Sequence, residues 1–315
     1  MTRKGSNPFK SVNNVAKPAR ITVAVLNFIP DLNGFYSKMD EVLKACLNSI
    51  YKTELDEDFD ILVFDNGSCD EIKQYLLKEQ ADGRIQYLIF SEKNLGKGGA
   101  WNIIFDGAPG EIIAYTDNDC LFMPNWLSKS VKILETFPNA GMVTARPFRT
   151  NADLYTSTLK WAEDNNITHE SGDLIPFDVF REFDLSLGQS EEEIKKHYEE
   201  TTDHRLTYNG VSAMVGASHW QFTAYKERLQ EFLPFRMDRP MGQVRQLDTR
   251  INEKGYLRLM TETPCAMNMS NTLDNAVQVA EKGSERKGGI AEIPVVKKIL
   301  LGLYNRIFHL YYDKR

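Results

Sequence analysis

Short apolar runs alternate with helical patterns between residues 21 and 145, and this alternation limits the fold more than any other feature of the chain. The first run, Ile21 to Leu26, is rich in β-branched residues and typical of a buried strand, and apolar residues recur at helical spacing from Phe35 to Ile50. Further strands are predicted at 59–64, 85–90, 111–116 and 141–145, and further helices at 70–79, around Trp101 and at 124–137. Because such alternation is typical of a mostly parallel sheet with helices on both faces, we expect an α/β fold that binds ligands at the carboxyl ends of its strands.

The pattern loosens beyond about residue 150, where we expect a second, smaller lobe to begin. Glu182 to Asp203 is polar and acidic, which is typical of an exposed helix and loop, and Gln246 to Tyr256 predicts a helix that ends at Gly255. The expected divisions are a flexible tail (1–20), a first half (21–150), a second half (151–270), a polar linker (271–290) and an amphipathic C-terminal helix (291–315).

The composition excludes several classes of protein. With 315 residues, of which 42% are hydrophobic, the chain is long enough to bury a large core. Its net charge of -6 argues against a nucleic-acid partner, because such proteins usually carry a basic excess. The first 20 residues have no apolar core of a secretory signal, and no run approaches the roughly 18 apolar residues of a membrane span. Four separated cysteines without a CxxC pair predict reduced thiols in a cytoplasmic protein: Cys46, Cys69, Cys120 and Cys265.

Residues 295–315 combine an apolar stripe with basic side chains around it. The stripe contains Val296, Leu300, Tyr304 and Phe308. A basic amphipathic helix with aromatic residues can lie in a membrane interface, close the protein's own core or form a homodimer contact, and the sequence leaves these alternatives open. Membrane contact would place the protein at the inner face of the cell membrane.

Two carboxylates one residue apart, Asp117 and Asp119, directly follow a hydrophobic strand. Acidic pairs are common in surface turns, but the position of this pair at a strand end favours a binding role. Together the two side chains can bind one hard cation, Mn²⁺ or Mg²⁺, while phosphate oxygens fill the remaining coordination positions. The sequence therefore predicts a divalent-metal site that holds a diphosphate.

Four loops at predicted strand ends, taken in order, resemble the signature series of family 2 glycosyltransferases with the GT-A fold. They contain Val25-Leu26-Asn27, then Val63 to Asp70 (VFDNGSCD), then Asn94-Leu95-Gly96 followed by Asn102, and finally Asp117-Asn118-Asp119. The likeness covers roughly residues 21–150, and Asp-Asn-Gly-Ser-X-Asp is its most specific part. It implies a GT-A-type sheet whose first half binds a nucleotide sugar and whose second half binds the acceptor.

The resemblance also implies roles for individual residues on the donor side. Asn27 would line the nucleotide pocket, and Asp65 would accept a hydrogen bond from the base, where a carboxylate suits an imide N–H such as that of uracil. The alternatives are an Asx-turn at the strand end for Asp65 and a solvated surface charge for Lys97. The implied donor-binding residues are Asn27, Asp65, Asn94, Gly96, Lys97, Asn102 and Asp117, and the implied metal ligands are Asp117 and Asp119.

The acceptor half departs from the family pattern. Arg250 and Gly255-Tyr256 resemble the end of a family segment that carries an acidic pair, one member of which deprotonates the acceptor hydroxyl. The positions at which those acids are expected hold Gln243, Val244 and Gln246. Asp248 is the nearest acid and becomes the candidate base, since an inverting displacement needs a carboxylate close to the incoming hydroxyl. Alternatively, Asp248 is a helix-surface partner of Arg250 or Lys254.

The segment from Gly216 to Trp220 resembles the family's glycine-containing stretch beside the acceptor. His219 is a candidate for metal or phosphate binding, or else a packed wall residue. Trp220 is a candidate for stacking on a sugar, or else a core residue. The resemblance assigns both residues to the acceptor side.

The expected function is metal-dependent transfer of a sugar, with inversion, from a nucleotide diphosphate donor, expected to be uridine-linked, to a hydroxyl of a glycan or lipid-linked acceptor. A sugar nucleotidyltransferase is an alternative, but that class needs a Gly-rich, Arg-containing loop after the first strand, where this chain has Asn27 to Pro30. A non-catalytic nucleotide-sugar-binding protein is a second alternative, because the expected acids near Arg250 are missing. A dinucleotide-binding dehydrogenase is disfavoured, since Gly96-X-Gly98-Gly99 lacks the G-x-G-x-x-G spacing.

Overall fold

A computed structural model describes residues 5–12, 14–237 and 243–273 of the chain. All of these residues belong to one unit, Met1–Asn275, and the second unit, Ala276–Arg315, lies outside the described residues. The predicted C-terminal helix over 291–315 and the linker beyond residue 273 therefore lie outside the described residues too, and both stay predictions.

Strands and helices alternate along the first half of the described chain, as expected. The strands are β1 (Ile21–Asn27), β2 (Phe59–Asp65), β3 (Tyr87–Phe90), β4 (Ile112–Asp117), β5 (Cys120–Phe122), β6 (Ala140–Thr144), β7 (Thr168–Gly172), β8 (Asp203–Tyr208), β9 (Val211–Val215), β10 (Gln221–Tyr225), β11 (Leu257–Met260) and β12 (Ala266–Asn268). The α-helices are α1 (Met39–Tyr51), α2 (Asp70–Ala81), α3 (Gly96–Gly107), α4 (Trp126–Thr136), α5 (Thr156–Asp164), α6 (Phe177–Ser186), α7 (Glu191–Glu200), α8 (Lys226–Gln230) and α9 (Gln243–Glu253). Short 3-10 helices cover Pro8–Ser11, Gly34–Tyr36 and Ala152–Leu154.

Ten of these strands form one sheet in the order β3-β2-β1-β4-β10-β6-β11-β9-β8-β7. The four strands from β3 to β4 pair in parallel, and β6 pairs in parallel with β11. Strands β10, β9 and β7 run antiparallel to the other strands, so seven of the ten strands run in the same direction. The predicted α/β fold with a mostly parallel sheet is confirmed. Strands from both predicted halves, 21–150 and 151–270, contribute to this single sheet.

Helices cover both faces of the first half of the sheet. All seven residues of β1 are buried, which explains why its sequence is apolar without alternation. On one face, α3, α8 and α9 pack against the side chains of alternate strand residues. These helices and the sheet form one hydrophobic cluster. Large aromatic rings fill this layer, among them Trp101, Phe105, Tyr115, Phe222 and Phe235.

Strand β10 brings a distant part of the chain to the centre of the sheet. It lies between β4 and β6 and runs antiparallel to both, with Gln221 opposite Thr116. The residues just before β10 therefore lie beside the residues that follow β4. This connection places His219 and Trp220 next to the acidic turn that begins at Asp117.

A second, two-stranded sheet supports the acidic turn from its other side. β5 follows Asp119 directly and pairs with β12, and the backbone N–H of Met269 donates to the carbonyl of Asp119 at 2.8 Å. Neither β5 nor β12 was expected from the sequence, because strands of three residues have too few positions to show a pattern.

Candidate functional site

The polar loops singled out in the sequence meet at one edge of the sheet. β1 is paired in parallel with β2 and β4, and the registers place Asn27 opposite Asp65 and Leu26 opposite Asp117. Since the carboxyl ends of parallel strands lie at the same edge, the three loops begin side by side. The site is therefore built by strand register rather than by any single loop.

Asn27 connects these three strand ends. Its Nδ2 donates to Oδ2 of Asp65 at 2.7 Å and to Oγ of Ser68 at 3.0 Å, and its Oδ1 accepts from Nδ2 of Asn118 at 2.7 Å. The side chain is fully buried. The buried amide of Asn27 thus holds the three loops in position, and a role for Asn27 in lining a nucleotide pocket stays a prediction.

Asp65 orders the loop that follows β2. Its Oδ1 accepts from the backbone N–H groups of Gly67 and Ser68, at 3.3 and 3.0 Å, which is the Asx-turn that the sequence offered as an alternative. Gly67 has a φ of +94°, and a Cβ there would lie 3.2 Å from the backbone N of Asn94, so the turn requires glycine. Asp65 is fully buried, so direct contact between its carboxylate and a base stays a prediction that requires this loop to open.

Asn66 joins the same loop to the start of α3. Its Nδ2 donates to Oδ1 of Asn94 at 3.0 Å, its Oδ1 accepts from the backbone N–H of Leu95 at 2.9 Å, and Oδ1 of Asn94 also accepts from Gly96 at 2.8 Å. Asn94 itself is exposed. These bonds fix the orientation of the α3 N-terminus, from which Lys97 extends.

Lys97 is an ion-pair partner of Asp117 rather than a solvated charge. Nζ of Lys97 lies 2.6 Å from Oδ2 of Asp117, and the Lys97 side chain is only 12% exposed. The hydroxyl of Tyr115 donates to the other oxygen, Oδ1, at 2.5 Å, and burial together with the Asp117 charge raises the pKa of Tyr115, so it remains a donor. The ammonium also lies over the rings of Trp101 and Tyr115, at 5.5 and 5.6 Å from their centroids.

Asp119 adds a second carboxylate to this turn. Burial, and then repulsion from Asp117, raise the pKa of Asp119 to about 7, while Lys97 opposes the shift. The turn thus carries two carboxylates close together, and carboxylate oxygens are the ligands that hard cations such as Mn²⁺ and Mg²⁺ take from proteins. Within the described residues there is no cluster of three or more His, Cys, Asp or Glu that could hold a metal, so any metal here would take further ligands from a substrate or water.

Asn102, the remaining donor-side candidate, is occupied elsewhere. Its Nδ2 donates to the carbonyl of Phe235 at 2.9 Å, and its Oδ1 accepts from the backbone N–H of Phe235 at 2.6 Å. This reciprocal pair ties α3 to the segment before α9. A donor-binding role for Asn102 stays a prediction.

On the acceptor side, His219, Asp248 and Arg258 form a hydrogen-bonded chain. Nδ1 of His219 lies 2.9 Å from Oδ2 of Asp248, and Arg258 donates to Oδ1 of Asp248 at 2.6 Å. Asp248 and Arg258 are both buried, and burial lowers the pKa of Arg258 while Asp248 opposes the shift. The expected surface partners of Asp248 bind other groups: Arg250 donates to the carbonyl of Phe232, and Lys254 pairs with Glu231. That alternative for Asp248 is wrong, because its side chain points inward from α9.

Trp220 is a core residue whose backbone serves the site. Its ring packs against Phe148 and Phe183, with centroids 6.5 and 5.8 Å apart, and the residue is 7% exposed. Its carbonyl accepts from the backbone N–H of Asp117 at 2.9 Å. This burial supports the core interpretation over a sugar-stacking role.

Several residues of the site were missed by the sequence interpretation. The quoted motifs contain Asn118 and Ser68, so the sequence offered a reason to consider both, whereas Tyr115 lies in the strand before the last motif. Arg258 follows the Gly255-Tyr256 ending, and the sequence does not predict its role. An arginine in an apolar strand indicates neither how deeply the side chain is buried nor which residue it binds.

Comparison with known proteins agrees with the sequence resemblance. Residues 35–183 match the family model described as glycosyl transferase family 2, which confirms the resemblance to that family. An uncharacterised glycosyltransferase of Nostoc is 31% identical over 103 residues, which cover 32% of this chain and 31% of the relative. The glycosyltransferase AglE of Haloferax volcanii is 27% identical over 138 residues, which cover 39% of this chain and 45% of the relative. The chain thus spans less than half the length of either relative.

Solved structures to which the chain is similar include two complexes with nucleotides. One is a mannosyltransferase of Pyrobaculum calidifontis with GDP-Man and Mn²⁺, at 20% identity and a TM-score of 0.46, covering 78% of this chain and 55% of that one. The other is residues 1–349 of TarS from S. aureus with UDP, at 13% identity and a TM-score of 0.44, covering 76% and 56%. Separately, none of the helices in the described ranges is long and apolar enough to cross a bilayer.

Proposed function

We propose that this chain is a metal-dependent glycosyltransferase that moves a sugar, with inversion, from a nucleotide diphosphate donor to a hydroxyl of a glycan or lipid-linked acceptor. The observation that carries the proposal is the Lys97–Asp117 pair at 2.6 Å beside Asp119, at the carboxyl end of β4 and inside the segment that matches family 2. A buried ammonium and two carboxylates form a site matched to a cation and a diphosphate together.

The electrostatics of the turn support a diphosphate ligand. Oδ2 of Asp117 is paired with Lys97, and Asp119 adds a second carboxylate to the turn, so one ammonium faces two carboxylates. If the two carboxylates held Mn²⁺ or Mg²⁺, Lys97 would be free to turn from Asp117 to a phosphate oxygen of the donor. The bound cation would stabilise the charge on the departing diphosphate.

The loops behind the turn support a nucleotide pocket. The Asn27, Asp65 and Asn66 bonds fix the backbone of residues 65–69 and 94–97 before a ligand arrives, so the entropy of ordering these loops is not lost on binding. A uridine-linked donor and donor binding at Asp65 remain part of the proposal; the ordered loop would meet the nucleotide first, and contact of the Asp65 carboxylate with the base would require these bonds to break. The acceptor-side chain of His219 and Asp248 supplies the group that receives the acceptor's proton.

Donor turnover in the presence of MnCl₂ tests the function. Purified protein is incubated with UDP-glucose, UDP-N-acetylglucosamine or GDP-mannose, and release of nucleoside diphosphate is measured for the wild type, Asp117→Asn and Asp119→Asn. We expect turnover by the wild type, its loss on addition of EDTA, and a loss of about 100- to 1,000-fold in each variant. Asp164→Asn is the control, since this exposed acid pairs only with Lys160 on its own helix.

Other outcomes separate the alternative functions. Unchanged metal-dependent turnover in both variants contradicts the proposed site. Donor binding without any turnover indicates a non-catalytic binding protein. Formation of a nucleotide sugar from a nucleoside triphosphate and a sugar 1-phosphate indicates a nucleotidyltransferase.

A further inference from the structure

Asp248 is poorly placed to meet a substrate itself. Its side chain is 6% exposed, and its two oxygens are engaged by Arg258 and His219 at 2.6 and 2.9 Å. Arg258 is fully buried and also donates to the carbonyls of Leu154 and Ala217, at 2.8 and 2.6 Å. Because withdrawal of Asp248 would leave a buried guanidinium without its counter-charge, the carboxylate is held in place. A group held in this way can orient a neighbour, but it is screened from an incoming hydroxyl.

His219 has the opposite character. Its side chain is 33% exposed, and its second ring nitrogen, Nε2, has no hydrogen-bond partner within the part of the chain that the structure describes. Because the Asp248 carboxylate only accepts hydrogen bonds, it fixes the proton of the neutral imidazole on Nδ1. The lone pair of Nε2 is then free to accept a proton.

The backbone places His219 beside the acidic turn. Gln221 pairs with Thr116 across β10 and β4, and the carbonyl of Trp220 accepts from the backbone N–H of Asp117 at 2.9 Å. His219 is the next residue before Trp220 in the chain. The backbone of His219 thus lies next to the strand end at which the donor's diphosphate is proposed to bind.

We propose that His219 is the general base of the transfer and acts through Nε2, while Asp248 and Arg258 are positioning residues. The inference rests on the proposed glycosyl transfer and names the base of that reaction. As the acceptor oxygen bonds to the anomeric carbon, its proton passes to Nε2. The bond from the anomeric carbon to the diphosphate oxygen breaks, and its electron pair leaves with the nucleoside diphosphate. Asp248 stabilises the imidazolium, which then returns the proton to water.

Hydrolysis of the donor, with water in place of the acceptor, tests the base without knowledge of the natural acceptor. Free sugar released in MnCl₂ is measured for the wild type and His219→Ala, with whichever of UDP-glucose, UDP-N-acetylglucosamine or GDP-mannose the wild type hydrolyses. We expect kcat to fall about 100- to 10,000-fold in His219→Ala, while the donor KM and the half-saturating MnCl₂ concentration change less than about twofold. Added imidazole should restore part of the lost rate. His169→Ala, an exposed histidine on β7, is the control and should match the wild type.

Asp248→Asn tests the positioning role. Because Arg258 only donates hydrogen bonds, the asparagine must turn its oxygen to Arg258 and its NH₂ group to His219. The imidazole proton then moves to Nε2, so kcat should fall with an unchanged donor KM, and imidazole should not restore it. If this variant fails to fold, as shown by its thermal midpoint, His219→Ala and its rescue decide the question alone.

Three results overturn the inference. If His219→Ala keeps the wild-type kcat, the general base is Asp248 or another group. A changed donor KM or MnCl₂ requirement with an unchanged kcat makes His219 a ligand of phosphate or metal. A wild type that neither binds nor hydrolyses a nucleotide sugar overturns the proposed function and this inference together, which is distinct from an active wild type with an unaffected His219→Ala.

Discussion

Two regions of the molecule satisfy their buried polar groups in different ways. One is the polar cluster at the ends of β1, β2 and β4, on the predicted donor side, and the other is formed by the segments after β6, on the predicted acceptor side. On the donor side, the amide of Asn27 binds side chains of the loops after β2 and β4, and the amide of Asn66 binds the loop before α3. Strand register already places the ends of β1, β2 and β4 side by side. On the acceptor side, buried arginines such as Arg149 and Arg258 reach carbonyls and carboxylates from distant segments. Both sets of contacts join segments that are distant in the chain. The first region uses amide groups at strand ends that register aligns, whereas the second uses buried charge pairs.

The largest effect on stability is expected for Arg149→Met. The guanidinium donates to both oxygens of Asp203, at 2.8 and 3.0 Å, and to the carbonyl of Thr201, so its loss leaves Asp203 buried with only the backbone N–H groups of Leu174 and Ile175. Breaking a buried pair on one side costs about 3–5 kcal/mol of unfolding free energy. Urea unfolding followed by circular dichroism measures the change.

The matched control is Arg181→Met. Its partner Glu191 and the arginine itself are both largely exposed, and exposed pairs contribute less than about 1 kcal/mol. Equal losses in the two variants would show that burial does not distinguish the acceptor-side arginines.

A smaller loss is expected for Asn27→Ala on the donor side. The change removes the N–H group that donates to Asp65 and the oxygen that accepts from Asn118. Because Asp65 and Asn118 remain buried, we expect a loss of about 1–3 kcal/mol of unfolding free energy. Because the loops of the site begin at these residues, binding of UDP measured by calorimetry should weaken as well. Asn125→Ala is the control, since that exposed asparagine makes no side-chain cap. Full stability with weakened binding would instead place Asn27 against the ligand.

The smallest effect concerns pH and belongs to the acceptor lobe. Burial, and then the charge of His169, lower the pKa of His204, whose Nδ1 lies 3.0 Å from Nε2 of His169. The unfolded chain therefore binds this proton more readily, so the stability of the fold should decrease as the pH falls below about 6.5. In His204→Asn, thermal midpoints should fall less steeply between pH 7 and pH 5 than in the wild type. An unchanged slope would assign the pH response to other groups.

The donor half was predictable to a large extent, because its pattern and its motifs are local. The predicted strand at 21–26 is found at Ile21–Asn27 and the predicted helix at 70–79 at Asp70–Ala81, since β-branched runs and helical spacing are properties of neighbouring residues. The Asx-turn of Asp65 could be weighed for the same reason. What the sequence could not reveal is that Asp65 and Asn27 are fully buried, because burial depends on the strands that pack around them.

The second half of the chain was less predictable, above all in the surroundings of Asp248. The sequence singled out Asp248 as the candidate base, but its hydrogen-bond partners, His219 and Arg258, lie 29 and 10 residues away in the chain. The periodicity of α9 shows that Asp248 shares a helix with Arg250 and Lys254, yet it does not show which face meets β11. Packing of α9 on the sheet turned Asp248 inward and left Arg250 and Lys254 with other partners.

The sequence by itself determined the α/β order, the parallel strands and the polar loops at their ends, because hydrophobic periodicity and turn chemistry act over a few residues. It also determined the acidic turn at Asp117 and Asp119. Only the tertiary structure decided that Lys97 pairs with Asp117 and that β10 carries His219 to the same edge. Both follow from contacts between segments distant in the chain, and the free energy of such contacts depends on burial and charge pairing that no local pattern contains.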